Sequence, residues 1–93
     1  MKYQLVYTPS FVRAARRLVS KSPRLAHDME QTLKVLSDDP FHPSLRSHKL
    51  KGELKDSWAC SAGYDLRIVF KFVTAEGGKA ILLQTIGTHD EVY

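Results

Sequence analysis

Four histidines in this sequence could transfer protons near neutral pH, because the unperturbed pKa of an imidazole is about 6.5. They are His27, His42, His48 and His89. His27 falls within a predicted helix and His42 within a proline-rich loop, where a ring would be poorly positioned for chemistry. His48 stands beside Lys49 and Lys51, and His89 lies in the C-terminal segment GTHDEVY. Two proton-transfer groups and a fixed cation are the smallest set that could break a phosphodiester by acid–base chemistry.

Arg67 is the candidate for the fixed cation. The segment Asp65–Val73 alternates apolar and polar residues, which predicts a strand with Asp65 and Arg67 on one face, about 6.5–7 Å apart. A guanidinium on a rigid strand suits a phosphate, because its fork of donors stays charged. Asp65 would then orient a histidine or the arginine. The simpler alternative is a surface ion pair worth less than about 1 kcal/mol.

The first half of the chain predicts one strand and two helices. Lys2–Tyr7 alternates polar and apolar residues, as a half-buried strand does. A helix is predicted after Thr8-Pro9, with Thr8 or Ser10 as its N-cap. A second helix is predicted from Ser22-Pro23 to Asp38-Asp39-Pro40. Together the two helices form a helical hairpin that needs a sheet beneath it.

The second half has the pattern of a sheet. After an extended loop over Pro40–Ser47, strands are predicted at His48–Leu54, Ser57–Ala62, Asp65–Val73 and Lys79–Ile86. The predicted fold class is α+β, with a small, mainly antiparallel sheet and the N-terminal helical hairpin packed on one face, in the order β-α-α-β-β-β-β. Regular alternation would place His48 on the side of Leu50, so whether His48 faces the core or a groove stays open.

Length and composition limit the class of protein. A chain of 93 residues is expected to form a single domain, residues 1–93. Its single cysteine, Cys60, excludes an internal disulfide and favours a reducing compartment, the cytoplasm. No segment has the length and hydrophobicity of a membrane span, so no membrane partner is expected. A net charge of +4 favours polyanionic partners such as nucleic acid.

The C-terminal segment has the form of a capped helix. Gly87 is expected to end the last strand in a conformation closed to other residues. Thr88 and Glu91 have the spacing of a capping box, which would hold His89 in the first turn of a short helix. The neighbouring carboxylates would favour the protonated imidazole that a general acid requires.

Three segments resemble the RelE/ParE superfamily of bacterial toxins, in particular the branch close to RelE and YafQ. They are DDPFHPSLRSHKLKGEL, WACSAGYDLRIVFKF and ILLQTIGTHDEVY. The resemblance implies a toxin of a type II toxin–antitoxin system, a cytoplasmic endoribonuclease that cleaves mRNA on the ribosome without a metal or other cofactor. The implied partners are mRNA and the ribosome, a cognate antitoxin, and operator DNA bound through that antitoxin.

The resemblance also assigns roles to residues. His48 and His89 fall on the two histidines that YafQ-like toxins use, so they are the candidates for proton transfer. Arg67 would stabilise the phosphate and Asp65 would orient a neighbour. Lys49 and Lys51 would contact the RNA backbone, and Tyr93 would either stack on a base or seal the sheet edge.

Departures from the YafQ pattern leave alternatives open. Ser61, Leu66 and Thr85 stand where YafQ has a histidine, a tryptophan and an arginine. One alternative is a ParE-like inhibitor of DNA gyrase that is not an enzyme, because this fold supports both activities. Another is a catalytically weak module that binds RNA or an antitoxin.

Overall fold

The computed structural model describes residues 2–52 and 56–92. Within these residues the chain forms five strands and three helices: β1 (Gln4–Tyr7), α1 (Pro9–Val19), α2 (Pro23–Asp38), β2 (His48–Lys49), β3 (Trp58–Ala62), β4 (Leu66–Ala75), β5 (Gly78–Thr88) and α3 (His89–Val92). This is the predicted α+β fold, and α3 is the short helix that the capping box of Thr88 and Glu91 predicts. None of the helices in the described part of the chain is long and apolar enough to cross a membrane.

The strands form one sheet in the spatial order β1-β5-β4-β3-β2. β1 runs parallel to β5, whereas the pairs β5-β4, β4-β3 and β3-β2 are antiparallel. The two longest strands, β4 and β5, therefore lie at the centre of the sheet. Its edges are strands of four and two residues, which leave little unpaired backbone for another chain to extend.

Both long helices begin at the residues that the sequence predicts. The Thr8 hydroxyl accepts a hydrogen bond from the backbone N–H of Phe11 at 3.1 Å and donates one to the carbonyl of Leu83 at 2.7 Å. Thr8 thus caps α1 and ties it to β5. Ser22 caps α2, where its hydroxyl accepts from the N–H of Arg24 at 3.2 Å. A proline follows each cap, as the fixed φ of that residue favours.

The core lies between the helices and one face of the sheet. Phe11 and Leu18 of α1 and Leu36 of α2 are buried against apolar side chains of the central strands. The strand residues are Leu66, Ile68, Phe70, Ile81, Leu83 and Ile86. The sheet therefore has a packed face and an opposite face on which polar side chains are accessible. The helical hairpin occupies the packed face, as predicted.

The predicted strand over His48–Leu54 is much shorter in the structure. β2 contains only His48 and Lys49, and Gly52 has a left-handed φ of 72° that turns the backbone out of the strand direction. Leu54 and the predicted turn residue Lys55 lie outside the described residues. The loop before β2 also differs from an extended segment, because Pro43–Leu45 forms a turn of 3-10 helix.

Two predictions about the last strands are wrong. β4 begins at Leu66, so Asp65 belongs to the preceding turn and shares no strand face with Arg67. Gly87 does not end β5, which continues through Thr88, and Gly87 is not among the described residues with a positive φ. A side chain there would be crowded, because an added Cβ would lie 3.1 Å from the Cβ of Glu91, which would have to move by a few tenths of an ångström.

Candidate active site

A cavity of about 420 Å³ lies on the accessible face of the sheet. It is lined by Arg46, His48, Ser61, Arg67 and His89. Three of the predicted site residues, His48, Arg67 and His89, thus meet in one place although 41 positions separate the first from the last. The sheet brings them together, because β2, β3 and β4 are neighbours and α3 follows the end of β5 directly.

The pairing of β2 with β3 decides which way His48 faces. His48 lies opposite Ala59, and Ala59 lies opposite Val69. Directly opposed residues share a face, so His48 is on the same side as Ser61 and Arg67 and away from the core. Because β2 ends after two residues, the alternation with Leu50 does not apply.

A backbone carbonyl sets the tautomer of His48. The ring Nδ1 lies 3.1 Å from the carbonyl oxygen of Arg46. A carbonyl oxygen only accepts hydrogen bonds, so Nδ1 is the donor and carries a proton. In the neutral ring the lone pair is then on Nε2, which is the arrangement of a general base that acts through Nε2.

Arg67 stands at the centre of the accessible face. It lies opposite Ser61 on β3 and opposite Gly87 on β5. Its Nη1 donates a hydrogen bond to the carbonyl of Leu66 at 2.9 Å, which restrains the guanidinium against its own strand. The residue is half-buried, so its charge acts in a less polar environment than bulk water and interacts more strongly with a bound anion.

Hydrogen bonds around α3 hold His89 at the rim of the cavity. The predicted capping box is confirmed: the N–H of Thr88 donates to Oε1 of Glu91 at 2.9 Å, and the N–H of Glu91 donates to the Thr88 hydroxyl at 3.3 Å. The backbone N–H of His89 donates to the carbonyl of Asp65 at 3.0 Å. Oδ1 of Asp90 lies 3.8 Å from Nδ1 of His89 and places a negative charge beside the ring.

Glu91 connects α3 to the first helix. Its Oε2 lies 3.0 Å from Nη2 of Arg17 in an exposed ion pair. The hydrogen bond from the Thr88 N–H, followed by that with the Thr88 hydroxyl, lowers the pKa of Glu91 below its ordinary value. The carboxylate form is therefore the one that holds the capping box.

The other predicted site residues lie elsewhere. Asp65 is exposed in the turn before β4, and it supports the site through its backbone carbonyl while its side chain does not line the cavity. Lys49 lies opposite Trp58, so it points to the other side of β2 from His48. Lys51 is exposed beyond the end of β2. Tyr93 lies outside the described residues.

Arg46 and Ser61 line the cavity, although the sequence reasoning did not assign them a role. Ser61 could have been found from the predicted pairing of its strand with that of Arg67. Arg46 was visible only as one of several basic residues near His48. Its position depends on the 3-10 turn, which has no clear signature in the sequence.

The lining has the composition of an anion site. It contains two guanidinium groups, two imidazoles and a hydroxyl, and no carboxylate is among the lining residues that the structure describes. Such a set of donors favours a phosphate. Within residues 2–52 and 56–92, no group of three or more histidine, cysteine, aspartate or glutamate side chains is arranged to hold a metal ion.

Two other features are less suited to catalysis. A cavity of about 510 Å³ at another part of the fold is lined mainly by aromatic rings, including Tyr3, Phe41, Trp58 and Phe72, and no histidine is among its described lining residues. Cys60 is fully buried, and burial raises the pKa of its thiol to about 12. It is therefore a thiol at neutral pH and a poor nucleophile.

Solved structures of bacterial toxins share this fold. The YoeB/ParE toxin from Agrobacterium tumefaciens superposes with a TM-score of 0.77 at 16% sequence identity, over 92% of this chain and 98% of that chain. YafQ from E. coli gives a TM-score of 0.76 at 14% identity, over 98% of both chains. A third similar structure is the E. coli DinJ-YafQ toxin-antitoxin complex, with a TM-score of 0.74 at 14% identity, over 100% of this chain and 99% of that chain.

At these identities the structural comparison establishes the fold, which is that of the RelE/ParE-type toxins. Comparison with curated proteins gives no significant match. The family model of YafQ, a bacterial toxin of type II toxin-antitoxin systems, matches residues 3–93. The chain therefore belongs to the YafQ toxin family, and it is a toxin of a type II toxin–antitoxin system.

Proposed function

We propose that this toxin is an endoribonuclease that cleaves mRNA on the ribosome by attack of the RNA 2′-hydroxyl, without a metal ion. The observation that carries the proposal is the meeting of His48, His89 and Arg67 in one cavity. Toxins of the YafQ, YoeB and RelE type are mRNA-cleaving endoribonucleases. Two imidazoles and a guanidinium cover the proton transfers and the charge stabilisation that this reaction requires.

His48 is the proposed general base. Its Nε2 takes the proton of the 2′-hydroxyl as the 2′-oxygen attacks the adjacent phosphorus, while the Arg46 carbonyl holds the other ring nitrogen. The positive charge that develops on the imidazole strengthens the hydrogen bond from Nδ1–H to the Arg46 carbonyl, because a charged donor makes a stronger hydrogen bond than a neutral one. This bond therefore stabilises the charged ring.

His89 is the proposed general acid. It donates a proton to the 5′-oxygen as the bond from that oxygen to phosphorus breaks, and the products are a 2′,3′-cyclic phosphate and a 5′-hydroxyl. The Asp90 carboxylate, 3.8 Å from Nδ1, stabilises the charged ring electrostatically. Arg67 donates to the non-bridging oxygens, whose negative charge is greatest in the transition state.

Residues outside the cavity have supporting roles in this proposal. Asp65 positions His89 through its backbone carbonyl. Lys49 and Lys51, both exposed, contact the RNA backbone away from the reacting phosphate. Tyr93, which follows Val92 in the sequence, has the proposed role of stacking on a base. The proposed location is the cytoplasm, which the single cysteine of the sequence favours.

Cleavage of mRNA on translating ribosomes tests the proposal. The purified toxin, freed from its antitoxin, is added to ribosomes translating a defined mRNA, and cut sites are mapped by primer extension. We expect cleavage by the wild-type protein, and a loss of at least about 100-fold in His48→Ala and in His89→Ala. A 2′-O-methyl group at the mapped site should block cleavage there. Intact mRNA under conditions in which the wild-type protein binds the ribosomes would refute the proposal.

Growth arrest separates this function from gyrase inhibition. An enzyme that depends on acid–base catalysis loses toxicity when both histidines become alanine. A non-enzymatic inhibitor has no need of them. Full growth arrest by the double variant His48→Ala/His89→Ala would therefore favour the ParE-like activity and contradict the nuclease.

We also propose the partner surface for the cognate antitoxin. A groove of about 440 Å³ between α1 and α2 has an apolar floor that includes Val12, Ala15, Met29 and Leu33. The same two helices carry exposed arginines and one exposed lysine, and the charged residues of the groove lining are Arg16 and Glu30. An acidic amphipathic helix matches both the floor and the charge. The similar DinJ-YafQ structure is a toxin–antitoxin complex, and operator DNA would bind through the antitoxin.

Co-purification tests this surface. The protein encoded by the adjacent gene is expressed with tagged toxin that carries inactivated histidines. Val12→Asp should reduce its recovery at least about 10-fold, because a carboxylate in an apolar contact is costly. Ser10→Asp, an exposed change on the same helix, is the matched control. Equal recovery with both variants would place the antitoxin elsewhere.

A further inference from the structure

We infer that Arg46 forms a second phosphate subsite in the cavity, which binds the phosphate on the 5′ side of the nucleotide that attacks. The inference rests on the proposed function, because it takes the reacting phosphate to lie at Arg67 between the two histidines. Arg46 and Arg67 both line the cavity. The site would then bind two consecutive phosphates of one RNA strand and not only the phosphate that is cleaved.

The backbone of Arg46 supports a role for its side chain. Its φ of 52° and ψ of 40° are left-handed, and it is the only non-glycine residue with a positive φ among those that the structure describes. Glycine or asparagine would adopt this conformation with less strain. An arginine in such a conformation, at the wall of a cavity, indicates that its side chain is needed there.

Hydrogen bonds fix the segment around Arg46. Its N–H donates to the carbonyl of Pro43 at 3.3 Å, and its own carbonyl accepts from Nδ1 of His48 at 3.1 Å. The Ser47 hydroxyl donates to the carbonyl of Pro40 at 2.6 Å. The guanidinium therefore projects from a restrained backbone, so no backbone freedom of this segment is lost when the side chain binds an anion.

The order of the strands gives the direction of the RNA. Arg46 immediately precedes β2, whereas Arg67 is on β4, and β3 lies between them. Two strand spacings are about 10 Å, so the backbones of the two arginines start on opposite sides of β3, and Arg46 is on the same side as His48. His48 faces the 2′-hydroxyl in the proposed mechanism. The side of β3 that carries both His48 and Arg46 is therefore the side of the attacking nucleotide and of the phosphate that precedes it.

Three short RNA probes test the subsite without cleavage. They are a dinucleoside monophosphate, the same molecule with a 5′-phosphate, and the same molecule with a 3′-phosphate, each with a 2′-O-methyl group on the first nucleotide. Dissociation constants are measured by NMR titration of the wild-type protein, Arg46→Asn, Arg46→Lys and Arg67→Gln. Arg46→Asn removes the charge but keeps a residue that tolerates the left-handed backbone. Arg13→Asn, at an exposed position of α1 that does not line the cavity, is the control.

We expect the 5′-phosphate to strengthen wild-type binding about 10-fold or more, and the 3′-phosphate to have a much smaller effect. Arg46→Asn should lose the gain from the 5′-phosphate while binding the unphosphorylated probe as the wild type does. Arg46→Lys should keep part of the gain, and Arg67→Gln should weaken all three probes. Three results would each overturn the subsite. The first is an equal gain in affinity from the 5′-phosphate in the wild type and in Arg46→Asn, and the second is an equal gain from either terminal phosphate. The third is no binding of the 5′-phosphorylated probe.

The outcome is separate from that of the nuclease test. Binding that depends on Arg46 in a protein that leaves translated mRNA intact would retain the subsite and reject the enzyme. Cleavage by a protein whose Arg46→Asn variant binds every probe normally would retain the enzyme and reject the subsite. If Arg46→Asn lowers the single-turnover rate with no change in probe affinity, the residue acts only through the backbone that holds His48, and the subsite is rejected.

Discussion

Gly87→Ala should lower the rate of mRNA cleavage while changing the free energy of unfolding only a little. The added Cβ would lie 3.1 Å from Cβ and 3.3 Å from Oε1 of Glu91. Ordinary contacts between carbon atoms are about 3.5–4.0 Å, so Glu91 and with it α3 must move by a few tenths of an ångström. That movement strains the Thr88–Glu91 capping box and carries His89 away from the cavity. Misplacement of a catalytic group by about 1 Å costs about 100-fold in rate, so we expect a loss of about 10-fold here.

The stability of the same variant should change little. Alanine in a strand is favoured over glycine by about 0.5–1 kcal/mol, which offsets part of the strain at α3. We therefore expect the free energy of unfolding to change by about 1 kcal/mol or less, measured by urea denaturation. The rate is measured on translating ribosomes under single-turnover conditions, with toxin in excess.

Gly77→Ala is the matched control in the β4–β5 turn. Its added Cβ meets no atom within 4 Å, but its φ of +95° is strained for an alanine. It should lose about 1–3 kcal/mol of stability and keep the cleavage rate per folded molecule. If Gly87→Ala cleaves mRNA as fast as the wild type, the contact between β5 and Glu91 does not position His89 and the reasoning is wrong.

Four further predictions follow from individual contacts. His48→Gln and His89→Gln should each lower the single-turnover rate about 100-fold or more while leaving the affinity for 2′-O-methyl RNA unchanged; a weaker affinity would indicate a binding role. Thr8→Ala should lower the free energy of unfolding by about 1–2 kcal/mol in urea, because it removes the cap of α1 and its bond to Leu83; an unchanged midpoint would contradict this. The capping box lowers the pKa of Glu91, so the contribution of its carboxylate to the stability of the folded protein is complete above about pH 4.3 and is lost as pH falls through the folded-state pKa. The NMR chemical shift of the Thr88 N–H should follow this change in the wild type and not in Glu91→Gln. Cys60, with its pKa raised to about 12, should react with iodoacetamide at neutral pH only as the protein unfolds, and rapid reaction of the native protein would disprove its burial.

Local signals in the sequence predicted most of the secondary structure. The pairs Thr8-Pro9 and Ser22-Pro23 mark the starts of the helices, because a hydroxyl cap and a proline satisfy requirements set by neighbouring residues. The capping box at Thr88 and Glu91 was predictable for the same reason. These features depend on bonds between residues at most a few positions apart, and they are confirmed.

Features that depend on distant parts of the chain were predicted less well. The length of β2 and the parallel pairing of β1 with β5 follow from how the sheet assembles, which periodicity does not encode. Asp65 lies in the turn one residue before β4, and its side chain is not among those that line the cavity with Arg67.

By itself, the sequence determined which groups could act: two histidines able to exchange protons, an arginine able to hold a phosphate, and a capped C-terminal turn. The resemblance to the toxin superfamily selected this set from among the other basic and titratable residues. Only the tertiary structure decided which face of β2 presents His48, that the Arg46 carbonyl sets its tautomer, and that Arg46 and Ser61 complete the cavity. The physical reason is that side-chain chemistry belongs to each residue, whereas the meeting of β2, β4 and α3 depends on strand pairing between segments far apart in the chain.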